Sequence, residues 1–162
     1  VCSSDLAETM QTAFAHLKPL LKVGRGAEER PVVVMATVEG DIHDIGKNIF
    51  GSFARTAGFE LIDLGTDVSL YQVIEAIETV KPDIIGMSGM QQETIYEMRA
   101  VVCELVNRRI RDDYRVIIGG AVIDEKAAQI VGADFATKDV MTGVEKCKLW
   151  MIEKTGKKNN DK

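Results

Sequence analysis

The sequence predicts an α/β fold, a doubly wound five-stranded parallel sheet with helices on both faces. Short apolar runs rich in β-branched residues recur along the chain, and stretches of helical apolar period separate them. The runs are apolar at consecutive positions instead of alternating, which is the habit of strands buried on both faces, as in parallel sheets. The chain has 162 residues, 46% hydrophobic and 28% charged, enough for one well-buried core and too apolar for a disordered segment.

The elements follow in order. Residues 4–22 carry Leu6, Met10, Ala13, Phe14, Leu17 and Leu21 at helical spacing, and a loop with Gly24 and Gly26 ends that helix. The first strand is Pro31–Ala36, and Ile49, Phe50, Phe53 and Ala57 mark the helix after it. Phe59–Leu64 is the second strand. Its helix shows Leu70, Val73, Ile74, Ile77 and Val80 on one stripe, opened by Ser69 and Gln72 as a capping box. Asp83–Ser88 is the third strand, followed by the stripe Ile95, Met98, Val102 and Leu105. Tyr114–Gly119 is the fourth, Ala133–Ala136 a weak fifth, and Val140, Val144, Cys147 and Met151 mark the last helix. Successive β–α units of this kind give a Rossmann-like or flavodoxin-like sheet with right-handed crossovers. From Lys154 to Lys162 the chain is polar and lysine-rich, which predicts a solvated, disordered tail.

Composition removes several classes of function. No apolar run approaches the ~20 residues of a membrane helix, and a net charge of −5 argues against nucleic acid as a partner. Cys2, Cys103 and Cys147 are far apart with no C-x-x-C, which predicts neither a disulfide framework nor a cysteine-rich zinc site, and points to the cytoplasm. The chain opens on Val1 with no signal peptide, as a piece of a longer protein would.

Ligands of open α/β sheets bind beyond the carboxyl ends of the strands. Three segments in such positions have unusual composition: Glu39–Asn48, Ser88–Thr94 and Gly119–Ala121. The first is not a phosphate loop, because five residues separate Gly40 from Gly46 where a P-loop has four, and Asn48 follows Lys47 in place of Ser or Thr. There is no G-x-G-x-x-G either. What remains is Asp41-x-His43, a carboxylate able to bond one ring nitrogen of a histidine and leave the other for a metal. The bland alternative is a surface histidine satisfied by a local hydrogen bond. His16 is the only other histidine, so a zinc or two-histidine iron site built by the protein alone lacks ligands, and a metal at His43 would arrive held by a macrocycle. Elsewhere the plain readings apply. Met87, Met98, Met141 and Met151 read as core filler, Cys103 and Cys147 as inert buried thiols, and Trp150 as a packing anchor. Arg108-Arg109-x-Arg111 reads as a solvated helix end.

Asp41-x-His43-x-x-Gly46, 41 further residues to Ser88-x-Met90, and 28 more to Gly119-Gly120 together resemble the D-x-H-x-x-G…S-x-L…G-G signature of cobalamin (B12)-binding domains. The resemblance covers roughly residues 4–152. Gly40-Asp41-Ile42-His43-Asp44-Ile45-Gly46-Lys47-Asn48-Ile49 is similar to the methyl-transferring branch: corrinoid proteins associated with methyltransferases and the cobalamin module of methionine synthase. It implies His43 as lower axial ligand of cobalt in place of the cofactor's own base, with Asp41 accepting the other imidazole proton and Thr94 continuing that relay. It further implies that Gly46 opens room for the displaced nucleotide tail, that Ser88 bonds the buried base beside Met90, and that Gly119 and Gly120, with Ala121, let the tail pass the backbone. Phe135 and Ala136 would complete the wall. Gly40, Ile42, Asp44 and Ile45 belong to the same cofactor-binding loop. Met90 replaces a leucine, and Gln91-Gln92-Glu93 stands where the branch usually carries small or hydroxylated residues.

By the same resemblance residues 1–26 are the remnant of an N-terminal helical cap, 27–154 the cobalamin-binding domain and 155–162 the tail. The implied function is a methyl carrier between a substrate-specific methyltransferase and a methyl-acceptor methyltransferase, with a reductive activase, and no enzyme complete in itself. A methionine synthase module and a cobalamin-dependent sensor are the alternatives.

Overall fold

The computed structural model describes residues 30–160, with side chains to Lys154. The predicted helix 4–22, the cap boundary, Cys2 and His16 lie outside the described residues. The elements are β1 (Val32–Thr37), α1 (Ile45–Thr56), β2 (Glu60–Asp63), α2 (Leu70–Val80), β3 (Ile84–Ser88), α3 (Thr94–Asn107), a 3₁₀ turn (Arg111–Asp113), β4 (Arg115–Gly119), α4 (Glu125–Val131), β5 (Phe135–Thr137) and α5 (Val140–Asn160). The sheet runs β2-β1-β3-β4-β5, every pair parallel, with the switch point between β1 and β3.

Each face has its own core. Ile85, Met87, Val116 and Ile118 point one way and meet Ile77 of α2, Met98 and Leu105 of α3 and Val131 of α4. On the other face Val33, Met35, Ile84 and Ile117 meet Phe50 and Ala54 of α1 and Val144, Cys147 and Trp150 of α5. Burying one such aliphatic side chain stabilises the fold by about 1.5–3 kcal/mol. Gly143 lets α5 come close: a Cβ there would stand 3.1 Å from Phe50 and 3.2 Å from the Thr137 methyl.

The predicted strands all form, with ends shifted by one or two residues. The Ser69–Gln72 capping box is present at the start of α2. No apolar stripe in the sequence announces α4. It is only seven residues long, capped by the Asp124 carboxylate on Ala127 N and ended by Gly132 at φ 79°, and Ala127 and Val131 alone of its side chains are buried.

Four expectations are corrected. Cys103 is exposed, whereas Cys147 is buried and its thiol is pushed up by burial to about 12. Met87 and Met98 are core residues, but Met141 is 47% exposed. The tail expected from residue 155 continues α5 to Asn160, since a helix anchored by Val144, Cys147 and Trp150 extends at small cost through lysines. Arg108 is no idle helix end: it reaches Glu78 on α2 and Glu104 on α3, while Arg111 bonds Asp134 and the Gly132 carbonyl. Among the described residues no helix is long and apolar enough to cross a membrane.

Candidate functional site

Sheet register assembles the site from four strand ends. Thr37, Ser88, Gly119 and Thr137 are neighbours across β1, β3, β4 and β5. One step down the same face, Met35, Gly86, Ile117 and Phe135 form a second row. Glycines and hydroxyl residues stand where larger side chains would fill the space under α1 and α5. The result is a cavity of about 300 Å³, opening at the carboxyl edge and lined from the sheet by Met35, Gly86, Ser88 and Gly119. That size lies at the lower end for ligand pockets.

The Asp41–His43 pair stands beside its mouth. Asp41 is fully buried, and its Oδ1 accepts from the His43 backbone N–H at 2.8 Å and from ring Nδ1 at 2.6 Å. Its Oδ2 accepts from the Met90 backbone N–H at 2.6 Å, so one carboxylate joins the loops after β1 and β3. Burial opposes its charge, but the amides of Met90 and His43 and the imidazole outweigh that and hold the carboxyl below its ordinary value. With Nδ1–H donated to a carboxylate, Nε2 carries the lone pair. The His43 side chain is 48% exposed and lines the cavity, so Nε2 is available to a metal.

The loop is braced from below. Gly40, at φ 81°, donates its N–H to the Asp67 carboxylate, and Asp67 N donates to Asp41 O. Lys47, 4% exposed, closes a double contact to Asp63 at the end of β2, at 2.5 and 2.7 Å, which ties the first turn of α1 to the sheet edge. Thr37, completely buried, bonds Ser88 Oγ at 2.8 Å and the His43 carbonyl at 3.3 Å.

Of the residues expected in the site, His43, Gly46, Ser88, Met90, Gly119, Gly120 and Ala121 line the cavity. Gly46 lies in the first turn of α1, and a Cβ on it would meet nothing within 4 Å. Ile42 and Met90 are 74% and 45% exposed, an apolar rim on the histidine's edge, with Ile45 at 37%. Asp44 turns aside to accept from Asn48.

Two expectations change here. The Thr94 hydroxyl donates to the Gln91 carbonyl at 2.6 Å, so it does not extend the His43–Asp41 relay; it supports the turn that presents Met90. The wall after β5 is built by Thr137, Lys138, Asp139 and Val140, whereas Phe135 and Ala136 pack into the two cores. Gly120 serves the backbone: at φ 139°, a Cβ on it would lie 1.9 Å from the Gly89 carbonyl oxygen. Met35, Thr37, Gly86 and Val140 carry no local motif, and their part in the site comes from strand register and helix placement.

The donor set fits a metal held by a macrocycle. Among the described residues no cluster of His, Cys, Asp or Glu could hold an ion unaided. One imidazole nitrogen is free beside an exposed apolar rim, next to a cavity able to take an appended group.

Comparison with known proteins supplies the family. A model described as the B12 binding domain matches residues 31–144. Dimethylamine corrinoid protein 3 of Methanosarcina mazei is 37% identical over 142 residues, 88% of this chain and 85% of that one. The crystal structure of a cobalamin-binding protein from Desulfitobacterium hafniense superposes with a TM-score of 0.74 at 41% identity, covering 89% of this chain and 67% of that one. The methanol:cobalamin methyltransferase complex of Methanosarcina barkeri shares the fold, with a TM-score of 0.71 at 24% identity over 88% of this chain and 54% of that one.

Proposed function

This chain belongs to the B12-binding domain family and takes a corrinoid cofactor, and on that premise we propose that it holds cobalamin base-off, with His43 as lower axial ligand, and carries methyl groups between partner methyltransferases. The observation that supports the reading is the buried Asp41 carboxylate on His43 Nδ1, which leaves Nε2 unengaged beside the cavity.

When bound, the cofactor supplies a cobalt centre able to accept and release a methyl group. The chain's own residues do the positioning. Asp41 fixes the His43 tautomer and ring plane. Asp67 and Lys47 hold the loop that carries the pair. The cavity takes the nucleotide tail: Gly46 leaves its entrance open, and Ser88 offers a hydroxyl to the buried base. Ile42 and Met90 give the ring an apolar edge to rest on. Residues 27–154 make up this cofactor-binding unit.

A substrate-specific methyltransferase and a methyl-acceptor methyltransferase are the partners, with a reductive activase, in the cytoplasm. The relatives named as dimethylamine corrinoid proteins support that assignment. Reconstitution tests it. The apoprotein should take up cobalamin with the visible spectrum of a histidine-ligated, base-off corrinoid, and His43→Ala should lose that spectrum and fall at least tenfold in methyl transfer with a matched partner. An unchanged spectrum in the variant removes His43 as ligand.

A further inference from the structure

The segment that carries the histidine is exposed where it leaves β1: Glu39 and Gly40 both face solvent. Its own main chain gives it one closing bond, from Asp41 N to the Val38 carbonyl at 3.2 Å. Further on, the His43 N–H and ring are held by Asp41, and the His43 carbonyl by Thr37. Among the described residues one side chain bonds the main chain between Val38 and Asp41, and it belongs to Asp67.

Asp67 makes two bonds of opposite sense to that turn. Its Oδ1 accepts from Gly40 N at 2.8 Å, and its N–H donates to the Asp41 carbonyl at 2.9 Å. The chain on either side of Asp67 is tied to β1. Leu64 N donates to the Met35 carbonyl, Thr37 N to the Gly65 carbonyl and Val68 N to the Thr37 carbonyl. Val68 also bridges Val38. The connection from β2 to α2 is therefore a fixed post beside the end of β1, and Asp67 reaches from it to the turn. Its backbone shows what the carboxylate is for. Asp67 has φ 52°, in the left-handed region, where glycine would sit with less strain. Strain of this kind persists where the side chain serves a site.

We propose that Asp67 is a positioning residue for His43: by clasping the Gly40–Asp41 turn it sets where Nε2 stands, and so how well the histidine ligates the cobalt of the corrinoid read above, a reading on which this role rests. Losing one such hydrogen bond weakens ligation by about three- to tenfold.

Asp67→Gly and Asp67→Asn test it against wild type. Glycine accepts the backbone conformation and keeps the N–H to Asp41, so the carboxylate alone is lost. Asparagine keeps an oxygen acceptor and tolerates a positive φ. Each apoprotein is unfolded in urea and titrated with cobalamin, followed by the visible spectrum. Asp67→Gly should unfold within about 0.5 M of the wild-type urea midpoint. It should nonetheless bind cobalamin about three- to tenfold more weakly, with part of the bound corrinoid showing the spectrum of cobalt without histidine. Asp67→Asn should keep the wild-type spectrum and an affinity within about twofold of wild type. Wild-type affinity and spectrum in Asp67→Gly overturn the proposal. So does an Asp67→Gly protein that fails to fold, since Asp67 would then serve the fold and not the histidine. Asp67→Asn as impaired as Asp67→Gly overturns it too, because the hydrogen bond it keeps would not be the cause. In each of these cases wild type still binds cobalamin through histidine. If wild type does not, the corrinoid reading itself falls and this role with it.

Discussion

The two faces of the sheet follow the same rules to different ends. On the α2–α3–α4 face, Met87, Ile85 and Ile118 meet fully buried side chains such as Ile77, Met98 and Leu105. On the α1–α5 face the packing is as good near the amino ends of the strands, where Val33, Ile84 and Trp150 meet. It stops where Gly86, Ser88 and Gly119 replace branched residues. One face shows what the sheet does when nothing but stability is asked of it. The other shows that a binding cavity needs only a few small residues in register, beneath helices that still close over both sides.

Substitutions on each face separate the two roles. The largest effect belongs to the packed face. Leu105→Ala should lower unfolding free energy by about 3 kcal/mol, within the ~2–5 range for such truncations, measured by urea denaturation. Corrinoid affinity of the folded variant should stay within about twofold; a loss matching that of His43→Ala would mean the faces are not independent.

The open face should show the reverse. Gly46→Leu places a good helix former in the first turn of α1, where a Cβ meets nothing, so melting temperature should hold or rise, by no more than the equivalent of about 1 kcal/mol. Corrinoid affinity should nonetheless fall at least tenfold, because the new side chain enters the cavity. Undiminished affinity would show that the tail does not pass Gly46.

The smallest effect concerns pH. A carboxyl held below its ordinary value contributes stability that is fully present above the unfolded-state pKa of about 3.9, and that is lost as pH falls through the lower folded value. Wild type should therefore lose stability below about pH 4 more steeply than Asp41→Asn, with parallel curves above about pH 5. Parallel curves at every pH would show that Asp41 makes no linked contribution.

What the sequence shows about this molecule depends on how local each signal is. The four central runs are legible because strands buried on both faces must be apolar at consecutive positions. The Asp41-x-His43 pair is legible because its hydrogen bond closes within three residues. α4 is hidden because so short a helix needs few buried positions. Thr37 and Met35 are hidden because their neighbours, Ser88 and Gly86, lie some fifty residues away and are brought alongside only by strand register. Thr94 sits near the right loops, but its hydroxyl has a closer acceptor in Gln91.

The Asp41 carboxylate makes two separate loops one unit. It holds the Met90 amide, the His43 amide and the His43 ring together, so the segments after β1 and β3 cannot shift apart without breaking a bond to it. The groups that order the histidine are the chain's own, and that order draws on no ligand contact.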